Sequence, residues 1–446
     1  MNQPLSTARS LNRLCIFAFA LLLTACSSSV EPVSTGVGAN PKLPEPDSSL
    51  LPVVNIAPAV GWIDGAEPTA ADGLDVNAFA RGLDHPRWIY TLPNGDVLVA
   101  ESNSPGSLDG IKGIKGWFAR RVITKAGGAV PSANRITLLR DADGDGVAEF
   151  RSALLENLHS PFGIELVGNT LYVANADAVV SFPYVTGDTR ITTAPTKVVD
   201  LPSGINHHWT KNILASADGL TLYASVGSNS NIGENGMDQE VNRAAILKIN
   251  PRSGELKVFA DGLRNPVGLA WNPQSKLLWT TVNERDELGN NLVPDYMTQV
   301  EEGQFFGWPY SYYGQNVDTR VKPQRPDLVA KAVAPSYALG SHVAALGLEF
   351  YTDDLLPSTY KNGAFIGLHG SWNRKPRSGY KVIFVPFVNG QPSGNPVDIL
   401  SGFVDSEGRA QGRPVGVKTD KSGALLIADD VGNVIWRVTP AARTTN

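Results

Sequence analysis

Cysteine is almost missing from these 446 residues: only Cys15 and Cys26 occur. Two thiols near one end can build neither a disulfide framework nor a cysteine-based metal site, and no C-x-x-C-H haem attachment can be written. The chain also lacks H-E-x-x-H, G-x-S-x-G, a P-loop and any G-x-G-x-x-G in a strand-to-helix setting. Zincin, serine hydrolase and nicotinamide chemistry therefore have no signature here. The apolar run Leu14–Leu23 is shorter than the roughly 20 residues that span a bilayer. Long helical periodicity is absent too, while Gly and Pro number 44 and 31, so the fold class reads as all-β.

What is present begins at the N-terminus. Arg9 and Arg13 precede the apolar run, and the first 25 residues hold no acid, the layout of a secretory signal peptide. The run ends in Leu23-Thr24-Ala25-Cys26, which resembles the lipobox of bacterial lipoproteins. That resemblance implies cleavage before Cys26, lipid on its thiol and a place outside the cytoplasm. Ser27 in the next position implies the outer membrane; the periplasmic face is the expected side, though Ser27 itself does not choose it. Residues 26–74, rich in Ser, Pro, Gly and Ala, read as a flexible tether without chemistry, and 75–440 as the globular domain. Without the two leader arginines, 36 basic residues stand against 43 acidic ones, which argues against nucleic acid or an anionic bilayer face as partner.

One phrase recurs through the domain: an apolar strand, a turn, a Pro-x-Gly-like step, then another apolar strand. Its clearest copies are Val258–Leu269 (VFADGLRNPVGL) and Ala78–Ile89 (AFARGLDHPRWI). Weaker ones run Leu154–Ile164, Val198–Ile213, Tyr337–Leu348 and Ile399–Val417. Six copies at this spacing predict a six-bladed β-propeller. An outer strand, Asp75–Ala80, comes before any inner strand, and the last strand, Val434–Val438, has no successor. The N-terminal strand is therefore expected to close the last blade, removing free edges.

If the phrase marks each passage from outer to next inner strand, its turns gather at one channel mouth. Those turns carry Asn206-His207-His208-Trp209-Thr210-Lys211, Arg264-Asn265-Pro266, His342 and Arg413-Pro414. A histidine titrating near neutrality suits general-base work, and arginines around it make a pocket for a carboxylate-bearing ligand. A separate run, Asp141-Ala-Asp143-Gly-Asp145-Gly-Val-Ala-Glu149, spaces carboxylates to wrap Ca²⁺, although Ser152 at the twelfth position rules out an EF-hand. It lies outside the repeat turns and is assigned to stability.

From Leu83 to Val438, and most densely over 262–314 with its R-N-P-x-G-x-A, V-N-E-R-D and G-W-P-Y elements, the chain resembles the PQQ-dependent glucose/sorbosone dehydrogenases. The sorbosone and pyranose dehydrogenase branch is most similar. The resemblance implies oxidation of a sugar or sugar aldehyde, with PQQ and Ca²⁺ as cofactors and an external quinone or cytochrome as electron acceptor. It implies His207, spaced His-x-x-x-Lys from Lys211, as catalytic base, with His208 as the alternate. Arg264 and Asn265 would stand beside the quinone carbonyls. Lys211, Arg374 and Arg413 would hold the cofactor, with Lys381 a further cation, and Asn283 and Glu284 would lie at the catalytic Ca²⁺. Val415 departs from the family pattern, which has a second arginine there. Two other readings compete: a Ca²⁺-dependent lactonase-type propeller, needing Glu, Asn and Asp side chains on the axis, and a non-enzymatic propeller binding a ligand at its rim.

Overall fold

The computed structural model describes residues 31–47, 53–63, 65–105, 121 and 124–442. The expected signal peptide and Cys26 lie outside them. Strands Val97–Glu101, Leu222–Val226 and Leu425–Asp429 are buried along their whole length. A strand apolar on both faces must be sandwiched, and each is the second strand of a four-stranded antiparallel sheet. Six sheets surround a channel as the blades of a β-propeller. The inner strands of blades 1 to 6 are Pro86–Thr91, Ile164–Val167, Lys211–Ala215, Asn265–Trp271, Ala345–Phe350 and Pro414–Thr419.

The recurring phrase does form the passage from each outer strand to the next inner one. In blades 1, 4, 5 and 6 its Pro-x-Gly-like step shifts the register of the two innermost strands. Such a bulge re-aims the residues before it. The glycine answers to packing between blades: a Cβ on Gly268 would lie 2.5 Å from the Leu346 carbonyl oxygen, and one on Gly163 would lie 2.9 Å from Asn212 Cα. Neighbouring inner strands thus meet backbone to backbone around the channel.

Leu74–Arg81 pairs antiparallel with Val434–Pro440 as the outermost strand of blade 6, so the N-terminal strand closes the ring as expected. The tether expectation needs correction over its described residues, which are docked on the ring. Val37–Gly38 extends blade 4 along Ala338 and Leu339, and Thr69–Ala70 extends blade 5 along Leu400 and Ser401. Between them Asn55 N–H donates to the Trp372 carbonyl (2.8 Å), Ala57 is fully buried, and Trp62 packs edge-on to Phe403 and Trp436. Pro and Gly keep this arm from forming a sheet of its own. Its free N–H groups and scattered apolar side chains are taken up by blade edges that would otherwise stand open.

Blade 4 carries an insertion over 301–336 with a hairpin, Ser311–Tyr312 and Asn316–Val317, and a short helix, Pro326–Val329. Its Trp308, Tyr310, Tyr312 and Tyr313 are buried, so these aromatics are core rather than rim.

Candidate active site

The repeat turns open on a cavity of 530 Å³ at one channel mouth, a size suited to a cofactor or small ligand. His207, His208, Arg264 and Asn265 border it from blades 3 and 4, Asn283 and Glu284 from the second strand of blade 4 and its end, and Arg413 from blade 6.

The two histidines differ. His208 Nδ1 lies 2.7 Å from the Ser228 carbonyl oxygen, with Ser228 Oγ at 3.1 Å. A carbonyl only accepts, so Nδ1 carries the proton and Nε2 keeps its lone pair. Burial, reinforced by the charge of Arg264 and by His207, holds the His208 pKa well below 6.5 and the ring neutral. His207 is exposed: its backbone N–H donates to Asn229 Oδ1 (3.2 Å), while its ring takes no hydrogen bond among the described residues. Geometry therefore moves the candidate base from His207 to His208. Gly227 permits the arrangement, since a Cβ there would come within 2.6 Å of His208 Cβ and run into Asn265 Oδ1.

Arg264 donates through Nη1 to the Glu284 carbonyl (2.7 Å) and through Nη2 to Asn231 Oδ1 (3.0 Å) and Asp286 (3.1 Å). Asp286 also accepts from Asn373 Nδ2 (2.7 Å) and lies 3.5 Å from His342 Nδ1. Burial opposes its charge, but Arg264 and His342 outweigh burial and hold the carboxyl well below the usual carboxylate range. His342 is pushed the other way: burial lowers its pKa, yet the hydrogen bond and charge of Asp286 raise it more, and Nε2 faces the Gly289 carbonyl (2.9 Å). With acceptors on both ring nitrogens, His342 suits a fixed cation and not a base.

Glu284 and Asp295 lie on the same side. Burial, against a backbone N–H from Arg285 and the charge of Arg264, pushes Glu284 up to about 7. Burial likewise raises Asp295 to about 6, although it accepts the N–H groups of Glu284 and Ala344. Asn283 Nδ2 donates to the Ala345 carbonyl (2.6 Å). Arg413 stacks on the Tyr380 ring at 5.1 Å, with its backbone N–H held by Asp429 (2.7 Å). Arg264 Nε, Arg413 Nε and Asn265 Oδ1 are buried with no protein partner. Orphaned polar atoms are costly, and several around one cavity mark where a ligand's polar atoms belong.

Two expected cofactor contacts are corrected. Lys211 is fully buried beneath the histidine turn and donates to Asn206 Oδ1 (3.0 Å) and to the carbonyls of His208 and Trp209 (3.3 and 3.2 Å). It braces the turn and does not border the cavity. Arg374 donates to the carbonyls of Asn290, Pro376 and Glu31 (3.0, 2.9 and 2.7 Å), so its guanidinium holds the docked arm. Lys381 pairs with Asp398 at the surface. The loop acids Asp141, Asp143, Asp145 and Glu149 do converge, their oxygens within 4.8 Å of one another, between the third and fourth strands of blade 1 and apart from the cavity.

A further cluster escaped the sequence reading. His369 Nε2 lies 2.9 Å from Asp430 Oδ2, His85 Nε2 lies 3.6 Å from it, and Arg87 forms an ion pair with it. All four residues border the cavity. Burial works against a charge on Asp430, but His369, His85 and Arg87 hold it well below the usual carboxylate range. The first repeat copy, LDHPRW, already contained both residues, His85 at the register of Asn265 and Arg413, and Arg87 at that of Val267 and Val415.

Set against known proteins, residues 132–302 and 327–441 match the TrAA12-like family model. An uncharacterised protein of Borreliella burgdorferi is 30% identical over 296 residues, covering 64% of this chain and 77% of that protein. The pyrroloquinoline quinone-dependent pyranose dehydrogenase of Coprinopsis cinerea is 23% identical over 362 residues, 71% of this chain but only 44% of that enzyme. The holo PQQ domain of a Coprinopsis cinerea pyranose dehydrogenase superposes with a TM-score of 0.67 at 20% identity, covering 86% of this chain and 100% of that domain, a likeness of fold. With its family model matched over both halves of the ring, the chain belongs to the TrAA12-like family, in line with its resemblance to the PQQ-dependent sugar dehydrogenases.

Proposed function

We propose that this protein oxidises a sugar or sugar aldehyde with PQQ and Ca²⁺ in the channel-mouth cavity and passes the electrons to an external acceptor. One observation carries the reading: a neutral histidine with a free, oriented Nε2 shares a cavity with arginines whose Nε groups lack protein partners. Arg87, Arg264 and Arg413 each offer such an Nε, a donor set suited to the carboxylates and carbonyls of an anionic quinone. Asn283, Glu284 and Asp295 offer oxygen donors for Ca²⁺. The residues present therefore fit the cofactors that the family implies.

When bound, PQQ would supply a two-electron acceptor for the hydride equivalent leaving the substrate carbon, and Ca²⁺ held by these residues would supply positive charge in the cavity. His208 Nε2 would take the proton of the hydroxyl borne by the anomeric carbon, or of a hydroxyl of an aldehyde hydrate. The Ser228 carbonyl keeps the ring oriented and stabilises the imidazolium that forms. Arg264, locked by Asp286, Asn231 and the Glu284 carbonyl, holds a guanidinium where negative charge grows. The lactonase reading is not favoured: Asp286 is committed to Arg264, Asn373 and His342, and Arg87, Arg264 and Arg413 make the same cavity arginine-rich.

Reconstitution of the purified chain with PQQ and Ca²⁺, followed by dye reduction across aldoses, aldehydes and polyols, tests the assignment. Dye reduction with at least one sugar is expected. No reduction with any substrate, together with no cofactor absorbance retained after gel filtration, overturns it. Lipid on Cys26 belongs to the same proposal and would place the enzyme on a membrane outside the cytoplasm. Fatty-acid labelling lost in Cys26→Ser is the expected outcome.

A further inference from the structure

Beside the catalytic cavity lies a second one, of 640 Å³, and the two share His85, Asp430 and Val431 as a common wall. The lining of the second comes from the docked arm at Ala59–Trp62, the loop 127–133 with Arg135, the turn at Asp84 and His85, and the turn 430–433 of blade 6. The enclosure is built closely. Ala59 N–H donates to the Lys125 carbonyl (2.9 Å), Asn103 Nδ2 donates to the carbonyls of Gly128 and Val130 (3.1 and 2.7 Å), and a Cβ on Gly127 would lie 2.9 Å from Ala59 Cβ. Ion-paired Asp84 and Arg135, Ser132 and Asn433 make this lining more polar than that of the catalytic cavity. The Val130 side chain, half exposed, stands at its edge.

The shared wall holds the second, independent observation. Asp430 is 2% exposed; its Oδ2 faces His369, His85 and Arg87, while its Oδ1 is buried without any donor. An acceptor-only oxygen left bare in so buried a place calls for a donor from a ligand. Within a site that oxidises sugars, the donor with matching chemistry is a hydroxyl.

We propose that Asp430 accepts a hydroxyl of the substrate at the junction of the two cavities, and that the second cavity takes the rest of a saccharide longer than one ring, an inference that rests on the sugar-oxidising reading of the first. The reacting unit lies by His208, and the following units pass over the wall of His85, Asp430 and Val431 into the polar chamber. Many hydroxyls on a chain of rings match a lining of amide, hydroxyl and ionic groups, whereas a single ring is held by the first cavity alone.

The test uses the full chain loaded with PQQ and Ca²⁺ and a homologous series of mono-, di- and trisaccharides. KM is expected to fall at least tenfold from the mono- to the trisaccharide, with kcat changing little. Val130→Trp, which fills the chamber from its rim, is expected to raise KM for the trisaccharide at least tenfold more than KM for the monosaccharide. Calorimetric titration with the same trisaccharide, its reducing end converted to the alditol, supplies a readout without turnover, and Val130→Trp should weaken that binding. Oxidation of monosaccharides with no gain in affinity on lengthening, or a Val130→Trp effect equal for all lengths, overturns the inference while leaving the dehydrogenase reading intact. Calorimetric binding that Val130→Trp abolishes, without any dye reduction, supports the chamber and removes the dehydrogenase reading instead.

Discussion

As the proposed base, His208 would owe its role to a neighbour that is not itself reactive. The Ser228 carbonyl fixes which nitrogen bears the proton, and general-base contributions of this kind amount to roughly 10²–10⁴ in rate. His208→Ala is thus expected to lower kcat by that order while cofactor absorbance after gel filtration is retained; His207→Ala is expected to stay within a few-fold of the parent. The base works only when unprotonated, and its pKa is held below 6.5. The acid limb of kcat/KM in a dye assay should accordingly have its midpoint below pH 6.5, with activity flat above it, and a midpoint above 7 would exclude His208. Sequence spacing pointed at His207 because it counted back from Lys211 as a cofactor contact. No spacing reveals that Lys211 spends its hydrogen bonds beneath the turn, on Asn206 and two carbonyls. Arg264, Asn265 and Arg413 were legible because each stands within two residues before the Pro of a repeat step; Asp286 and Asp430 follow second strands and Asp295 lies in a third strand, where no phrase recurs.

At the scale of strands and loops, the six copies were readable because each meets the same constraint. A Pro-x-Gly step that bulges the innermost pair and lets Gly268 approach the Leu346 backbone has few alternatives in sequence. The arm was not readable, since its value lies in backbone donors and in a few apolar side chains far apart along the chain. Trp62 shows what it contributes: its Nε1–H donates to Asp429 Oδ2 (2.7 Å), and Asp429 in turn holds the backbone of Arg413. Trp62→Phe keeps an aromatic ring against Phe403 and Trp436 but removes that bond, an expected cost of about 1–2 kcal/mol. Thermal unfolding should show a lowered Tm, and PQQ should bind more weakly through Arg413. Gly227→Ala is expected to push His208 and Asn265 apart, with loss of most activity and a lowered Tm.

For the molecule as a whole, the closed ring gathers the turns of its blades at one channel mouth. The docked arm carries the remaining consequence. Arg374 grips the Glu31 carbonyl at 2.7 Å, and its neighbour Asn373 borders the catalytic cavity. Glu31 follows Cys26 by five residues, and five extended residues reach at most about 18 Å. A lipid on Cys26 would then act as a bracket and not as a leash, fixing which side of the ring confronts the bilayer. Twenty flexible residues inserted after Ser27 should leave dye reduction by the anchored enzyme unchanged and slow electron delivery to a quinone dissolved in the same membrane. The grip of one arginine on one carbonyl would set the compass bearing of the active site.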